Sequence, residues 1–305
     1  MEKRCVLVTG ITGRSGRRFL ERLNEAYEQD AGFPFSFKAV VRVSSDMGPI
    51  MASEMPIETI CGDLKDPAFV RRALDGVDIL FHISGIRLSL MLIEKAVEAG
   101  VKRLICVHTT GIYSKYKRAG SDYLIIEESI GKLLEDKDVP LTILRPTMIF
   151  GSLDDKNISV FIKMVDKLRV FPVVNGARYA LQPVHQRDLA DAFYRVLTNP
   201  SATNNKNYDL SGAYPIDLID ILKEIETGLN KRILFVPVPF FLVYFAAWAL
   251  YCLTFKMYDF REKVQRLVEP RAYDHADAAR DFGYAPSDFK ENLQNEVKAY
   301  MQLRQ

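Results

Sequence analysis

The sequence predicts an α/β protein built on a doubly wound parallel sheet, with a smaller mixed cap towards its C-terminus. Short apolar runs alternate with helical stretches through the first half of the chain. Glycines cluster directly after the first of these runs. With 48% hydrophobic residues in 305, the chain can also bury a large core. Such alternation places helices on both faces of a parallel sheet and ligands at the carboxyl ends of its strands.

The predicted elements divide the chain near residue 150. After Gly151 the alternation weakens, with helices expected near 158–168, 187–197 and 216–228 and short strands around Val170 and Tyr208. We therefore expect residues 1–150 to form the sheet domain and residues 151–305 to form mainly the cap. The strands predicted in the sheet domain are 5–8, 38–41, 57–61, 78–83, 103–108 and 141–144.

The stretch VTGITGRSG, residues 8–16, lies between the first apolar run and a helical pattern. Its glycines Gly10, Gly13 and Gly16 permit a ligand or a neighbouring helix to approach the backbone closely. In the order strand, turn, helix, the free N–H groups and the positive dipole end of the helix point over the turn. The turn is therefore a predicted pyrophosphate site.

Charge and cysteine usage exclude several classes of protein. The 41 basic and 39 acidic residues are mixed and give a net charge of +2, so we expect no nucleic-acid partner. The four cysteines are scattered, which indicates reduced thiols, and no His, Cys or carboxylate spacing predicts a metal. The N-terminus begins with a strand and no apolar signal, so the predicted location is the cytoplasm.

Several motifs, in order along the chain, resemble the short-chain dehydrogenase/reductase superfamily in its extended or atypical branch, which contains nucleotide-sugar epimerases and NmrA-like proteins. The fragments are TGITGRSG, GDL at 62–64, HISG at 82–85, LRPTMIFG at 144–151, PVHQRDLADAF and DFGYAPSDF. The resemblance implies a Rossmann-like dinucleotide-binding domain over residues 1–150 and a substrate-binding cap after it. The cofactor contacts it implies are Gly10, Thr12, Gly13, Arg14, Ser15, Gly16, Asp63, Leu64, Ser84, Gly85 and Pro146.

The residues after the second strand favour NADP over NAD. NAD presents a ribose hydroxyl there and NADP a phosphate. Arg42 can hold a phosphate through two parallel hydrogen bonds, with Ser44 and Ser45 behind it. Arg14 offers a second contact to the phosphate. Asp46 lies too far along the chain from the end of the strand to reverse the preference for NADP.

The family's catalytic residues are only partly matched. Thr109 matches the Ser or Thr after the fifth strand, and Tyr123 matches the tyrosine of Tyr-x-x-x-Lys. Glu127 stands where the family has lysine, and its carboxylate is expected to raise the pKa of a nearby phenol, where the lysine would lower it. A literal Tyr113-x-x-x-Lys117 follows Thr109 too closely and is interpreted as coincidence. Lys115, Lys117 and Lys132 are candidate substitutes for the missing ammonium.

Three histidines are weaker candidates for acid/base work. His82 and His108 end apolar strands. A structural role, as hydrogen-bonded side chains near the sheet edge, accounts for their presence there equally well. His185 resembles a cap position that shapes the pocket.

The run FFLVYFAAWALYCLTF, Phe240 to Phe255, is apolar on every face of a helix. At about 1.5 Å per residue it is too short to span a bilayer. This segment has three possible locations: a groove of the cap, a homodimer face or a peripheral contact with a membrane. Burial or a protein partner is favoured over the membrane.

These observations predict an NADP(H)-binding oxidoreductase or epimerase-like enzyme that acts on a small or nucleotide-sugar substrate between sheet and cap. The alternative is a regulator of the NmrA-like type, which senses the dinucleotide without turning it over. Glu127 favours the regulator, and the complete cap favours the enzyme.

Overall fold

The computed structural model describes residues 3–30, 32–116, 118–254 and 257–304. Within them, a central sheet of seven strands has the order β11-β6-β5-β4-β1-β2-β3, and all neighbouring strands are parallel. This confirms the predicted α/β fold with a doubly wound sheet. Numbered in chain order, its strands are β1 (Arg4–Thr9), β2 (Phe35–Val41), β3 (Ile57–Cys61), β4 (Ile79–His82), β5 (Arg103–Val107), β6 (Leu141–Pro146) and β11 (Lys206–Leu210).

Helices cover both faces of the sheet because each has one apolar side. On one face, Phe19 of the first helix packs its ring 4.7 Å from Phe81 and 5.8 Å from Phe193, centroid to centroid. On the other face, Val70, Leu92 and further buried side chains form a second core. The first face carries α1 (Arg14–Gln29) and α7 (Gln186–Thr198), and the second carries α3 (Pro67–Ala73), α4 (Ser89–Glu98) and α5 (Arg118–Leu134).

A separate core lies in the cap and contains Ile162, Ile221 and Leu293. Its helices are α6 (Ile158–Lys167), α9 (Leu218–Gly228) and α13 (Phe289–Arg304). Short paired strands complete it: β7 (Ile149–Phe150) with β10 (Val184–His185), β9 (Ala180–Leu181) with β12 (Ile216–Asp217), and β8 (Val170–Val174) with β13 (Leu234–Val238).

The chain returns to the sheet after the cap begins. Strand β11 pairs with β6, and α7 packs against α1, so residues 186–210 belong to the sheet layer although they follow residue 150. A boundary at residue 150 therefore places β11 and α7, which belong to the sheet layer, on the same side as the cap. The remaining helices are α2 (Gly48–Met51), α8 (Pro200–Thr203), α10 (Phe240–Leu253), α11 (Arg261–Leu267) and α12 (Ala276–Phe282).

The predicted apolar run forms α10, while Phe255 and Lys256 lie outside the described residues. No helix in the described ranges combines the length and apolar character needed to cross a bilayer.

Candidate functional site

A cavity of about 970 Å³ opens between β1 and β4, at the carboxyl ends of the strands. In this sheet the chain order reverses between these two strands, which is the usual ligand crevice of doubly wound folds. Ten of the predicted cofactor contacts line it: Gly10, Thr12, Gly13, Arg14, Ser15, Gly16, Arg42, Asp63, Leu64 and Ser84. We call it the first cavity.

The three glycines of the turn have different roles. Gly10 adopts a φ of 82°, which a residue with a side chain rarely adopts. A Cβ on Gly16 would overlap the Gly10 carbonyl, so this glycine is required for packing of α1 on the turn. A Cβ on Gly13 would meet only the Gly10 oxygen, at 3.1 Å, and would otherwise project into the cavity. A side chain at Gly13 would thus occupy part of the first cavity, and a ligand contact at this position stays a prediction.

The N-terminus of α1 points at the first cavity. Gly13 precedes the helix and supplies no side-chain cap, and the described first turn contains no acidic residue. The unpaired N–H groups and the positive end of the helix dipole are therefore available to an anion. Arg17 fixes the turn, since its Nε donates to the Thr12 carbonyl at 2.9 Å.

Arg42 lines the first cavity at the end of β2 and is exposed. Its backbone N–H donates to Ser45 Oγ at 3.0 Å, and its guanidinium makes no hydrogen bond or ion pair with the described residues. Asp46, which also lines the cavity, pairs with Arg17 at 3.1 Å. Asp46 is therefore engaged by another guanidinium, and Arg42 lines the cavity without an acidic partner among the described residues.

Two predicted contacts lie outside the described lining of this cavity. Gly85 has a φ of 117°, and its carbonyl accepts a hydrogen bond from His82 Nε2 at 3.0 Å. Pro146 ends β6, and its carbonyl accepts from Thr110 Oγ1 at 3.2 Å. Both residues support the edge of the sheet here, and their contact with a cofactor stays a prediction.

His82 has a structural role in this fold. Because Nε2 donates to a carbonyl, the neutral ring accepts from Thr9 Oγ1 through Nδ1, at 2.7 Å. Complete burial lowers its pKa to about 4. His82 therefore ties the end of β4 to the end of β1 as a neutral ring.

A second cavity of about 310 Å³ adjoins the first, and Arg14, Ser15, Ser152 and Gln186 line both. Arg14 pairs with Asp154 at 3.2 Å at this junction, so its guanidinium is not directed solely at the first cavity. The wall of the second cavity combines hydroxyls, amides and guanidiniums from sheet and cap. They belong to Thr109, Thr110, Ser114, Thr147, Gln182, Gln186, Arg266, Arg271 and Tyr273.

Arg266 and Arg271 bring positive charge to the second cavity, and the Glu269 carboxylate near Arg271 offsets part of it. The Nε atoms of both are buried and lack a hydrogen-bond partner in the described structure. Burial lowers the pKa of Arg271, and the neighbouring Arg266 lowers it further. The nearby carboxylate of Glu269 accepts from Ser114 Oγ at 2.6 Å and from the Lys115 N–H at 2.8 Å. An anion bound here would satisfy both guanidiniums.

The predicted catalytic pair is not assembled in one cavity. Thr109 lines the second cavity, and its Oγ1 accepts from the Gly111 N–H at 3.0 Å. Tyr123 lies on α5, outside the described lining of both cavities. The catalytic roles of Thr109 and Tyr123 therefore stay predictions. Lys115 and Lys132 line neither cavity, and Lys117 lies outside the described residues.

Glu127 is a residue of α5, and its side chain belongs to a polar cluster between this helix and the sheet. Its carboxylate accepts from His108 Nδ1 at 2.8 Å and from Arg145 at 3.1 Å and 2.5 Å. His108 Nε2 lies 3.0 Å from Ser89 Oγ. Burial would raise the pKa of Glu127, but the hydrogen bonds from His108 and Arg145 outweigh it and lower the pKa. The negative charge at this position is thus compensated by the Arg145 guanidinium.

The remaining histidine and tyrosine of the region are also engaged. His185 caps α7 by accepting from the Arg187 N–H at 3.4 Å, and burial lowers its pKa to about 4. Tyr113 donates to Asp209 at 3.1 Å and accepts from Arg145 at 3.2 Å, and burial raises its pKa to about 12. Neither residue lines the second cavity as the described residues define it.

Sequence reasoning missed much of the second cavity. Arg266, Arg271, Tyr273 and Gln182 belong to no motif, and their approach to Thr109 depends on the packing of the cap. One signal was available, because Gln182 precedes the Pro-Val-His fragment that the family comparison already singled out.

Comparison with known proteins agrees with this geometry. A family model described as NAD(P)H-binding matches residues 10–200. The chain is 21% identical over 228 residues to a UDP-glucose 4-epimerase of Vibrio cholerae, covering 69% of this chain and 67% of that protein.

Two solved structures share the fold. A dTDP-glucose 4,6-dehydratase from Streptomyces venezuelae, solved with NAD bound, has a TM-score of 0.76 at 17% identity and covers 98% of both chains. An NADPH-dependent quinone oxidoreductase from Escherichia coli has a TM-score of 0.69 at 18% identity, over 97% of this chain and 99% of that one.

Proposed function

The chain belongs to the NAD(P)H-binding family and shares its fold with epimerases and dehydratases, and from this premise we propose that it is an NADP(H)-dependent oxidoreductase or epimerase-like enzyme. Its substrate would be a small anionic molecule of the nucleotide-sugar class. One observation carries the proposal: the first cavity, lined by the glycine turn, continues into a second cavity where two arginines each have a buried Nε without a hydrogen-bond partner among the described residues.

The first cavity suits a dinucleotide. The free end of α1 and the open side of Gly13 would receive the pyrophosphate. The carboxylate of Asp63 already accepts from the Lys65 N–H at 2.9 Å, and its second oxygen could accept from the adenine. Leu64 and Ser84 would line the remaining length of the cofactor.

The preference for NADP depends on Arg42. Its guanidinium has no partner among the described residues, and a 2′-phosphate would provide one. Asp46 supports the same choice because it is paired with Arg17 and adds little acidic character to the crevice. The dehydratase with NAD bound and the NADPH-dependent reductase show that both cofactors occur on this fold.

The substrate would lie in the second cavity. Arg266 and Arg271 would bind its phosphates, and the surrounding hydroxyls and amides could bind the hydroxyls of a sugar. A nicotinamide cofactor, when bound, would supply or accept the hydride. Thr109 would hold the reacting oxygen there, and Tyr123 would have to reach the cavity to serve as the proton donor.

A dinucleotide-sensing regulator is the less favoured alternative. The two arginines of the second cavity, with their unsatisfied buried Nε atoms, argue against it, because a sensor needs no second anion site beside the nicotinamide end of the crevice.

Turnover tests the proposal directly. Purified protein is titrated with NADPH and NADH by calorimetry, and nicotinamide absorbance is then followed with nucleotide sugars, aldehydes and quinones. Product sugars are analysed separately, since an epimerase recycles its cofactor and shows no net absorbance change. We expect NADPH to bind more tightly and at least one nucleotide sugar to be converted.

Matched variants distinguish the role of the second cavity in substrate turnover from the role of the first cavity in cofactor binding. Arg271→Met should abolish turnover of the sugar while leaving NADPH affinity unchanged, and Arg232→Met, in an exposed position of the cap, should change neither. Tight NADPH binding with neither product formation nor nucleotide-sugar binding would overturn the enzyme assignment in favour of the regulator.

A further inference from the structure

Helix α10 exposes apolar side chains around more than half of its circumference. Phe241 is 67% exposed, Phe245 62%, Trp248 45% and Leu253 78%, whereas Ala247 is its single buried residue. With 3.6 residues per turn, the exposed positions span an arc of roughly 200°. Exposed apolar surface of this extent on a folded protein marks an interaction site.

The strands before the helix extend this apolar surface. β8 and β13 pair as a ribbon, with Leu234 opposite Val170 and Val236 opposite Pro172. These four side chains are exposed, while the alternate positions Phe171, Val173 and Phe235 point inward to the cap. The ribbon continues into α10 through Pro239, and Asn175 Oδ1 accepts from the Phe240 N–H at 2.9 Å. We refer to the outer face of the ribbon together with the exposed arc of α10 as the apolar surface.

The charge pattern around this surface is that of a membrane interface. Residues 233–255 contain no charged side chain, Arg232 precedes them and Lys256 follows, whereas Lys231 is paired with Asp166. Arg232 and Arg169 are exposed at the base of the ribbon, where the Leu234 N–H donates to the Arg169 carbonyl at 3.0 Å. Tryptophan and tyrosine within α10, with cations beside them, are typical of segments that lie at the level of lipid headgroups.

We propose that the apolar surface docks onto a lipid bilayer, with α10 lying in the plane of the headgroup and acyl boundary. At about 1.5 Å per residue the helix is roughly 21 Å long, and it is therefore too short to span the hydrocarbon core. A helix that lies in the interface buries its apolar side about 5–10 Å deep, and neighbouring cations attract anionic lipid.

A second copy of the chain fits this surface less well. A partner helix or sheet covers an apolar stripe of about 100°, whereas the exposed arc of α10 is about twice as wide. Lipid closes around a wide arc without needing a complementary shape. The ribbon adds exposed side chains from another element, which lipid also covers continuously.

Trp248 allows a direct test, because it is the only tryptophan of the 305 residues. The 305-residue protein is mixed with vesicles of phosphatidylcholine, with or without about one quarter phosphatidylserine. We expect a blue shift of tryptophan emission, quenching by brominated acyl chains, co-sedimentation with the vesicles, and stronger binding to the anionic ones.

Variants then locate the contact. Phe241→Glu combined with Phe245→Glu should weaken vesicle binding by at least about tenfold, because carboxylates resist entry into the acyl boundary. Met51→Glu, at an exposed apolar position in the sheet domain, should bind as the wild type does. Unchanged tryptophan emission and no co-sedimentation with either vesicle would overturn the proposal. A stable dimer that the double variant dissociates, without vesicle binding, would assign the surface to a second copy instead.

Discussion

Arg145 and Glu127 form a two-point ion pair between β6 and α5. Arg145 Nε donates to Oε1 at 3.1 Å, and Nη2 donates to Oε2 at 2.5 Å. Both side chains are nearly buried, with 12% and 11% of their surface exposed. The carboxylate therefore stabilises the packing of the helix on the sheet, at a position where the family motif places a lysine.

This pairing determines what a lysine, the residue of the family motif, would do at position 127. A lysine here would place an ammonium beside the buried guanidinium and remove the acceptor of His108. We expect Glu127→Gln to lower the free energy of unfolding by about 3–5 kcal/mol and Glu127→Lys to lower it further. Urea denaturation measures both changes.

Glu128→Gln, in an exposed position next to it, is the control and should stay within about 0.5 kcal/mol of the wild type. If Glu127→Lys is as stable as the wild type and gains reductase activity, the ion pair has little structural role.

The fold was largely predictable from sequence because its signals are local. The apolar runs predicted β1 to β6, and the glycine spacing placed the turn between β1 and α1. The partners of Glu127 were not predictable, since Arg145 and His108 lie 18 and 19 residues away and meet it only when α5 packs on the sheet. Arg266 and Arg271 carry no motif, and the return of β11 to the sheet depends on the path of the cap.

Arg42→Ala should distinguish the two cofactors. Losing one charge-assisted phosphate contact costs roughly 1.5–3 kcal/mol, so NADPH affinity should fall about tenfold or more while NADH affinity is nearly unchanged. Calorimetry with both cofactors gives the ratio, and Arg72→Ala, on the exposed side of α3, is the control. A wild type that prefers NADH would refute the NADP assignment.

Gly13→Val and Gly16→Val should fail in different ways. Valine at Gly13 would project into the first cavity, so we expect a folded protein that binds neither NADPH nor NADH. Valine at Gly16 would overlap the Gly10 carbonyl and Ile11, so we expect lost or strongly reduced folding. Circular dichroism and thermal unfolding separate the two outcomes. Normal cofactor affinity in folded Gly13→Val would remove the turn from the site.

Arg271→Met should weaken ligand binding without weakening the fold. The Arg271 side chain has a buried Nε without a partner in the described structure, so its replacement relieves a desolvation cost. We expect UDP affinity to fall about tenfold or more and thermal stability to stay equal or rise. Calorimetry with UDP and a thermal melt measure both. Unchanged UDP affinity would exclude this arginine from the substrate site.

Glu296 should make stability fall as the pH rises. Its Oε2 accepts from the Gly151 N–H at 3.2 Å, and burial together with nearby Asp155 raises its pKa from 4.5 to about 8. Between these values the unfolded chain has lost the proton and the folded chain keeps it. The folded state therefore binds more protons, and the free energy of unfolding should fall by up to about 1.4 kcal/mol per pH unit.

Glu296→Gln tests this linkage, because the amide cannot titrate but keeps an oxygen that can accept from Gly151. Urea unfolding from pH 5 to pH 8 should show a smaller fall for Glu296→Gln than for the wild type, so that the variant becomes the more stable protein at the alkaline end. Glu291→Gln, in an exposed position of the same helix, should follow the wild-type profile. Wild-type stability that rises with pH over this range, with no difference in Glu296→Gln, would mean that the buried carboxyl is already ionised in the folded protein.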